Sequence, residues 1–97
     1  MNPQEQHTDD GKKVNIKAVD MAEEIQQVAV DTAKVALSKH TVLREIAGHV
    51  KKRFDELYGP TWHCVVGKSF GSYVTHQTHK FIFFYVDDMA FMIFQTA

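Results

Sequence analysis

Met21, Ile25, Val28, Ala29, Thr32 and Ala36 return every three or four residues, the spacing of one face of a helix. This predicts a first helix from about Met21 to Lys39. Asp20 stands just before it as a candidate N-cap, and Glu23 sits where a capping box places its acid. Val30, Ala33 and Leu37 widen the apolar arc beyond a surface helix's usual stripe, so contact on more than one side is expected. After a break from Ser38 to Thr41, one face of a second helix is lined by Leu43, Ile46, Ala47, Val50, Phe54, Leu57 and Tyr58. Gly59 and Pro60 stop it.

Downstream the period falls to two. Strands are predicted over Trp62–Val66, Phe70–Thr75, His79–Val86 and Met89–Phe94, with Val14–Val19 as a candidate fifth. Asp87-Asp88 reads as a two-residue hairpin that lacks the glycine for which positive φ is cheap, so mild strain is expected there. In the third run Phe81, Phe83 and Tyr85 point to one face, and Ile82, Phe84 and Val86 to the other. Both sets are apolar, so both faces want cover. The fold class is α+β, two helices on an antiparallel sheet. The helices can cover only one face, and a homodimer packing sheet on sheet would cover the second. A monomer with curled neighbouring strands is the alternative.

A chain of 97 residues holds one small core, which excludes dinucleotide-binding folds and barrels. Residues 1–13 carry Met1 as their one apolar side chain beside five charges and read as a tail; residues 14–97 form the domain. A formal net charge of −1 denies the chain the positive field that non-specific nucleic-acid or anionic-membrane binding needs. The lone Cys64 cannot form an intrachain disulfide, and there is neither a signal core nor a long apolar span. These features read as a soluble protein of a reducing compartment, with no nucleic acid partner and no membrane insertion.

Candidate chemistry is sparse. Gly67-Lys68-Ser69 imitates the end of a phosphate-binding loop, but Trp62 stands where the first glycine belongs and a strand pattern follows. His63 and Cys64 look like a base and its nucleophile, yet strand neighbours project to opposite faces. His63, His76 and His79 could be metal ligands, but no Cys partner or helical pair fixes a tetrahedron. Lys51, Lys52 and Arg53 alternate with Asp55 and Glu56 as a solvated helix face. No catalytic residue, cofactor or metal is expected.

Three runs carry a resemblance: Gly59-Pro60-Thr61-Trp62-His63-Cys64-Val65-Val66-Gly67, Phe70-Gly71-Ser72-Tyr73-Val74-Thr75-His76 and Phe81-Ile82-Phe83-Phe84-Tyr85. With Ile16-Lys17, Asp20-Met21, Glu23-Glu24, His49 and Lys51-Lys52, the chain from residue 14 to 97 closely resembles the eight-kilodalton, hub-type light chain of cytoplasmic dynein, as a divergent member. The resemblance implies a homodimer whose protomers exchange the strand around Phe70–Thr75. Clients add an antiparallel strand in two symmetric grooves. The implied groove comprises Lys17, Phe70, Gly71, Ser72, Tyr73, Val74, Thr75, His76, Phe81 and Tyr85. The implied dimer interface comprises His63, Phe70, Ser72, Tyr73 and Thr75, and a charge at His63 is expected to divide the dimer.

Departures are found at Leu43, where the family has a glutamate, at Arg44 for a lysine, and at Phe83 for a groove tyrosine. They point to altered client choice. Thr96 replaces a serine regarded as a phosphorylation site. The function implied is a non-catalytic hub and dynein-complex light chain that binds dynein intermediate chain and other linear-motif clients in the microtubule-associated complex of the cytoplasm. The runner-up is a specialised paralogue with an altered client set in axonemal or membrane-associated dynein. The rival from another class is a small His/Cys enzyme or metal-binding protein.

Overall fold

The computed structural model describes residues 11–97. Its elements run β1 (Val14–Met21), α1 (Glu23–Lys39), α2 (Leu43–Tyr58), β2 (Trp62–Gly67), β3 (Lys80–Val86) and β4 (Met89–Gln95). The strands form one antiparallel sheet in the order β1-β3-β4-β2, which leaves β1 and β2 as edges. The two helices pack on this sheet, as the α+β reading expects. Among the described residues no helix is long and apolar enough to cross a membrane.

The alternation along β3 sorts the sheet into two faces. Ile82, Phe84 and Val86 are buried under the helices, and the register sets Ile82 against Ile93 and Phe84 against Phe91. Cys64, opposite Ile93 on β2, belongs to the same inner face. Ala29, Ala33 and Ala36 of α1 are fully buried; small side chains there let the helix axis lie close to its neighbours. From α2 come Ile46, Val50 and Phe54, and the Phe54 ring packs on Trp62 with 4.8 Å between centroids. The Trp62 indole N–H is buried without a hydrogen-bond partner.

Gly59 ends α2 at φ 79, a conformation that costs other residues, and its N–H bonds to the Asp55 carbonyl at 3.0 Å. Asp55 also accepts the Trp62 backbone N–H at 2.8 Å and a hydrogen bond from the Lys51 ammonium. One carboxylate thereby ties the end of α2 to the start of β2.

Several expectations are corrected. The first helix starts at Glu23, and its N-cap is Ala22 with no side-chain cap. Asp20 cannot serve as the cap because the chain is still extended through Met21 and the Asp20 carboxylate faces His79 instead. The candidate fifth strand is a full edge strand. Residues 70–75 lie in no strand, because none of the four described strands pairs with them. The Asp87-Asp88 turn is present, with Asp87 at φ 54, and Lys13 exchanges two hydrogen bonds with Asp87. Of the expected tail, residues 1–10 lie outside the described residues.

The Lys51 ammonium, and after it the Trp62 N–H, hold the Asp55 carboxyl below the usual carboxylate range. The unfolded chain therefore takes up this proton first. The stabilisation is complete above ~3.9 and is lost as pH falls through the lowered folded value. Asp55→Ala is expected to lower stability at neutral pH by about 1 kcal/mol, allowing for partial exposure. It should also flatten the acid limb of the profile. Denaturant midpoints between pH 7 and pH 3, at unchanged m value, check this.

Candidate functional site

Among the described residues, no helix lies over the outer face of the sheet. The register places His63, Val65 and Gly67 of β2 beside Phe94, Met92 and Ala90 of β4, and these beside Phe81, Phe83 and Tyr85 of β3. Asn15, Ala18 and Asp20 of β1 complete it. Phe81, Phe83, Tyr85 and Phe94 remain half-buried, whereas their inner-face neighbours are sealed.

The segment between β2 and β3 folds back over part of this surface. The Phe70 ring lies 5.7 Å from that of Phe83, and Phe83 lies 5.8 Å from Tyr85. The Phe70 ring also lies against Gly67, where a Cβ would stand 3.4 Å from it, at van der Waals contact. Lys17 sits at the irregularity between Ile16 and Ala18 and places its ammonium 5.9 Å from the centre of the Tyr85 ring. At the other end His76 stacks on Phe81 at 4.8 Å, and its Nδ1 donates to the Gln77 carbonyl. A small cleft of about 250 Å³ lies among Ser72, Tyr73, Val74, His76 and Phe81.

The structure thus gathers Lys17, Phe70, Phe83 and Tyr85 into one row, and Ser72, Tyr73, Val74 and His76 around Phe81. Gly71 and Thr75 are exposed on the same segment, and Tyr73 is 101% exposed. Leu43 and Arg44 are not brought to these residues. They open α2, which lies with α1 on the opposite layer, and both are exposed. His63 shares a hydrogen bond with Thr96 at 3.0 Å and packs on Phe94 at 5.2 Å.

Local pattern missed the Asp20–His79 clamp. His79 adopts φ 63, its backbone N–H donates to Asp20 Oδ2 at 3.0 Å, and its Nδ1 donates to Oδ1 at 2.9 Å. These bonds, the backbone one first, hold the Asp20 carboxyl below the usual range. The clamp sets the angle at which residues 76–79 enter β3. Its partners are far apart in sequence, so no spacing signals it.

The His63–Cys64 pair has no shared chemistry. Cys64 packs with the inner core, where burial pushes its thiol well above the ordinary value, while His63 lies on the outer face. Among the described residues no three His, Cys, Asp or Glu side chains converge as metal ligands.

Comparison with known proteins agrees with this architecture. The family model described as dynein light chain type 1 matches residues 13–96. A dynein light chain of Schistosoma mansoni is 53% identical over 86 residues, which is 89% of this chain and 97% of that protein. Among solved structures, the dynein light chain-like domain of the Fasciola hepatica calcium-binding protein FhCaBP2 superposes with a TM-score of 0.74 at 26% identity. That match covers 92% of this chain and 96% of the other. The light-chain-like domain of CsTAL3 gives a TM-score of 0.64 at 25% identity, covering 86% and 92%. With sequence and fold in accord over almost the whole domain, the chain belongs to the dynein light chain family.

Proposed function

We propose that this light chain acts as a non-catalytic homodimeric hub, stapling partly disordered partners by β-strand addition in two symmetric grooves. One observation carries the proposal. Residues 70–75 have a strand's composition but no strand partner among the described residues, in a sheet with β2 at its edge and a half-covered apolar face. If each protomer lends this segment to the β2 edge of its partner, every unpaired group finds a ladder and the outer faces cover one another. In this reading Leu43 and Arg44, which a single chain keeps away from Phe83 and Tyr85, would reach a groove only across the dimer.

A client strand added beside Phe70–Thr75 gains backbone hydrogen bonds that tolerate many sequences, while the cleft around Val74 and Phe81 and the Lys17–Tyr85 end select side chains. Two grooves make the dimer bivalent. For two tethered client chains the second capture occurs at roughly millimolar effective concentration, so weak sites become a stable clamp. Dynein intermediate chain is the partner this reading names first, within the cytoplasmic, microtubule-associated motor.

Sedimentation at micromolar concentration and neutral pH is expected to show a dimer, because the second apolar face of the sheet is only partly covered by the described residues of one chain. His63→Lys, which puts a charge on the outer face, is expected to be monomeric and to bind single peptides poorly. A stable wild-type monomer contradicts the proposal.

Calorimetry with a dynein intermediate-chain peptide is expected to give one saturable site per protomer. Leu43 offers no acceptor for the amide of a client glutamine, and a dry unsatisfied donor costs roughly 1–3 kcal/mol. Leu43→Glu is therefore expected to tighten a glutamine-centred peptide by about tenfold. Unchanged affinity would show that this position does not face the client's amide.

A further inference from the structure

The corner between the helices holds a pair of histidines with no part in the groove. His40 is the C-cap of α1, fixed by its N–H bond to the Ala36 carbonyl, and His49 lies on the second turn of α2. Their rings meet edge to face with centroids 5.4 Å apart, and His40 Nε2 stands 3.4 Å from His49 Nδ1. Glu45 Oε1 lies 3.9 Å from the other nitrogen of His40. Both histidines are half-buried.

We propose that His40 and His49 form an open binding site for a divalent transition-metal ion, zinc by geometry, which pins the end of α1 to the start of α2. A nitrogen separation of 3.4 Å is a weak hydrogen-bond contact, long beside the ~2.9–3.0 Å usual for N–H···O bonds. Two nitrogens each ~2.0–2.1 Å from a tetrahedral ion, in contrast, stand about 3.3–3.4 Å apart. A square-planar ion would draw them to about 2.9 Å, so the spacing favours zinc over copper(II).

The surroundings assign the protons. A carboxylate beside Nδ1 of His40 favours the tautomer that carries its hydrogen there, leaving the Nε2 lone pair for the metal. The charged side chains that act on His49 are those of Lys39 and Arg53. Lys39 and Arg53 also oppose the ion's charge, which Glu45 offsets in part. With two protein nitrogens, the remaining coordination positions fall to water or to a donor from a second molecule, so binding is expected in the micromolar range.

The histidines singled out in sequence do not compete for this role. His63 bonds to Thr96, His76 to the Gln77 carbonyl and His79 to Asp20, whereas His40 and His49 have each other. The pair stand nine positions apart, a spacing that no single helix or strand would bring together; the turn between α1 and α2 does.

The test uses the full chain, stripped with chelator and titrated with zinc chloride alone, by calorimetry and by NMR of the imidazole resonances. At about pH 7.5 one ion per chain is expected, with the largest shifts at His40 and His49 and a rise in Tm that chelator reverses. His40→Gln and His49→Gln should each weaken binding by about tenfold or more, and Glu45→Gln by a smaller factor. His76→Gln/His79→Gln should leave it unchanged. At about pH 5.5 uptake should fall steeply as the ligands protonate. The proposal is overturned if zinc does not bind at submillimolar concentration. It is equally overturned if affinity survives both single variants, or if only the His76/His79 variant loses it.

Discussion

The constraint on which this molecule turns is that its sheet has two apolar faces and its chain has helices for only one. Ile82, Phe84 and Val86 are sealed by α1 and α2, while Phe81, Phe83 and Tyr85, on alternate positions of the same strand, are left half-covered. A strand alternates its side chains whatever surrounds it, so apolar residues at consecutive positions load both faces at once. The Phe70 ring and the residues after it provide what cover the chain has, and they leave Tyr73 fully exposed. Proposing a second copy answers both shortages together, the uncovered face and the unpaired segment.

Two carboxylates anchor the strands that carry that outer surface. Asp55 bridges the end of α2 to Trp62 at the start of β2, and Asp20 fixes the entry to β3 through His79. Between these anchors residues 68–76 take no regular structure of their own. A sheet carrying a segment outside its ladders suits the proposed strand exchange, because that segment would break no ladder to leave. Under the proposed exchange, backbone groups near Phe70–Thr75 would serve a client with little regard to its sequence, with selectivity left to a few side-chain positions.

Much of this was legible in the sequence, and the rest failed for identifiable reasons. The helical period from Ile25 to Ala36 and from Leu43 to Tyr58, and the two-sided alternation of Phe81–Val86, are local patterns that burial enforces, and they appear as expected. Asp20 misled because an acid before a helical run looks like a cap, whereas its partner His79 comes from a distant part of the chain. Phe70–Thr75 reads as a strand because local propensity says so, but being a strand requires a neighbour. Leu43 and Arg44 entered the groove through family resemblance alone; in one chain they lie on the far layer from Phe83. The His40–His49 pair was invisible because its geometry belongs to a corner between helices, not to any period.

The central claim is that residues 70–75 belong to the partner's sheet. Isotope-filtered NMR on a mixture of labelled and unlabelled chains, refolded together, tests it most directly. The account predicts nuclear Overhauser contacts between amides of Phe70–Thr75 in one copy and Trp62–Gly67 in the other, with slow exchange of those amides. Fast-exchanging amides at 70–75, with every contact of that segment confined to a single copy, would contradict it.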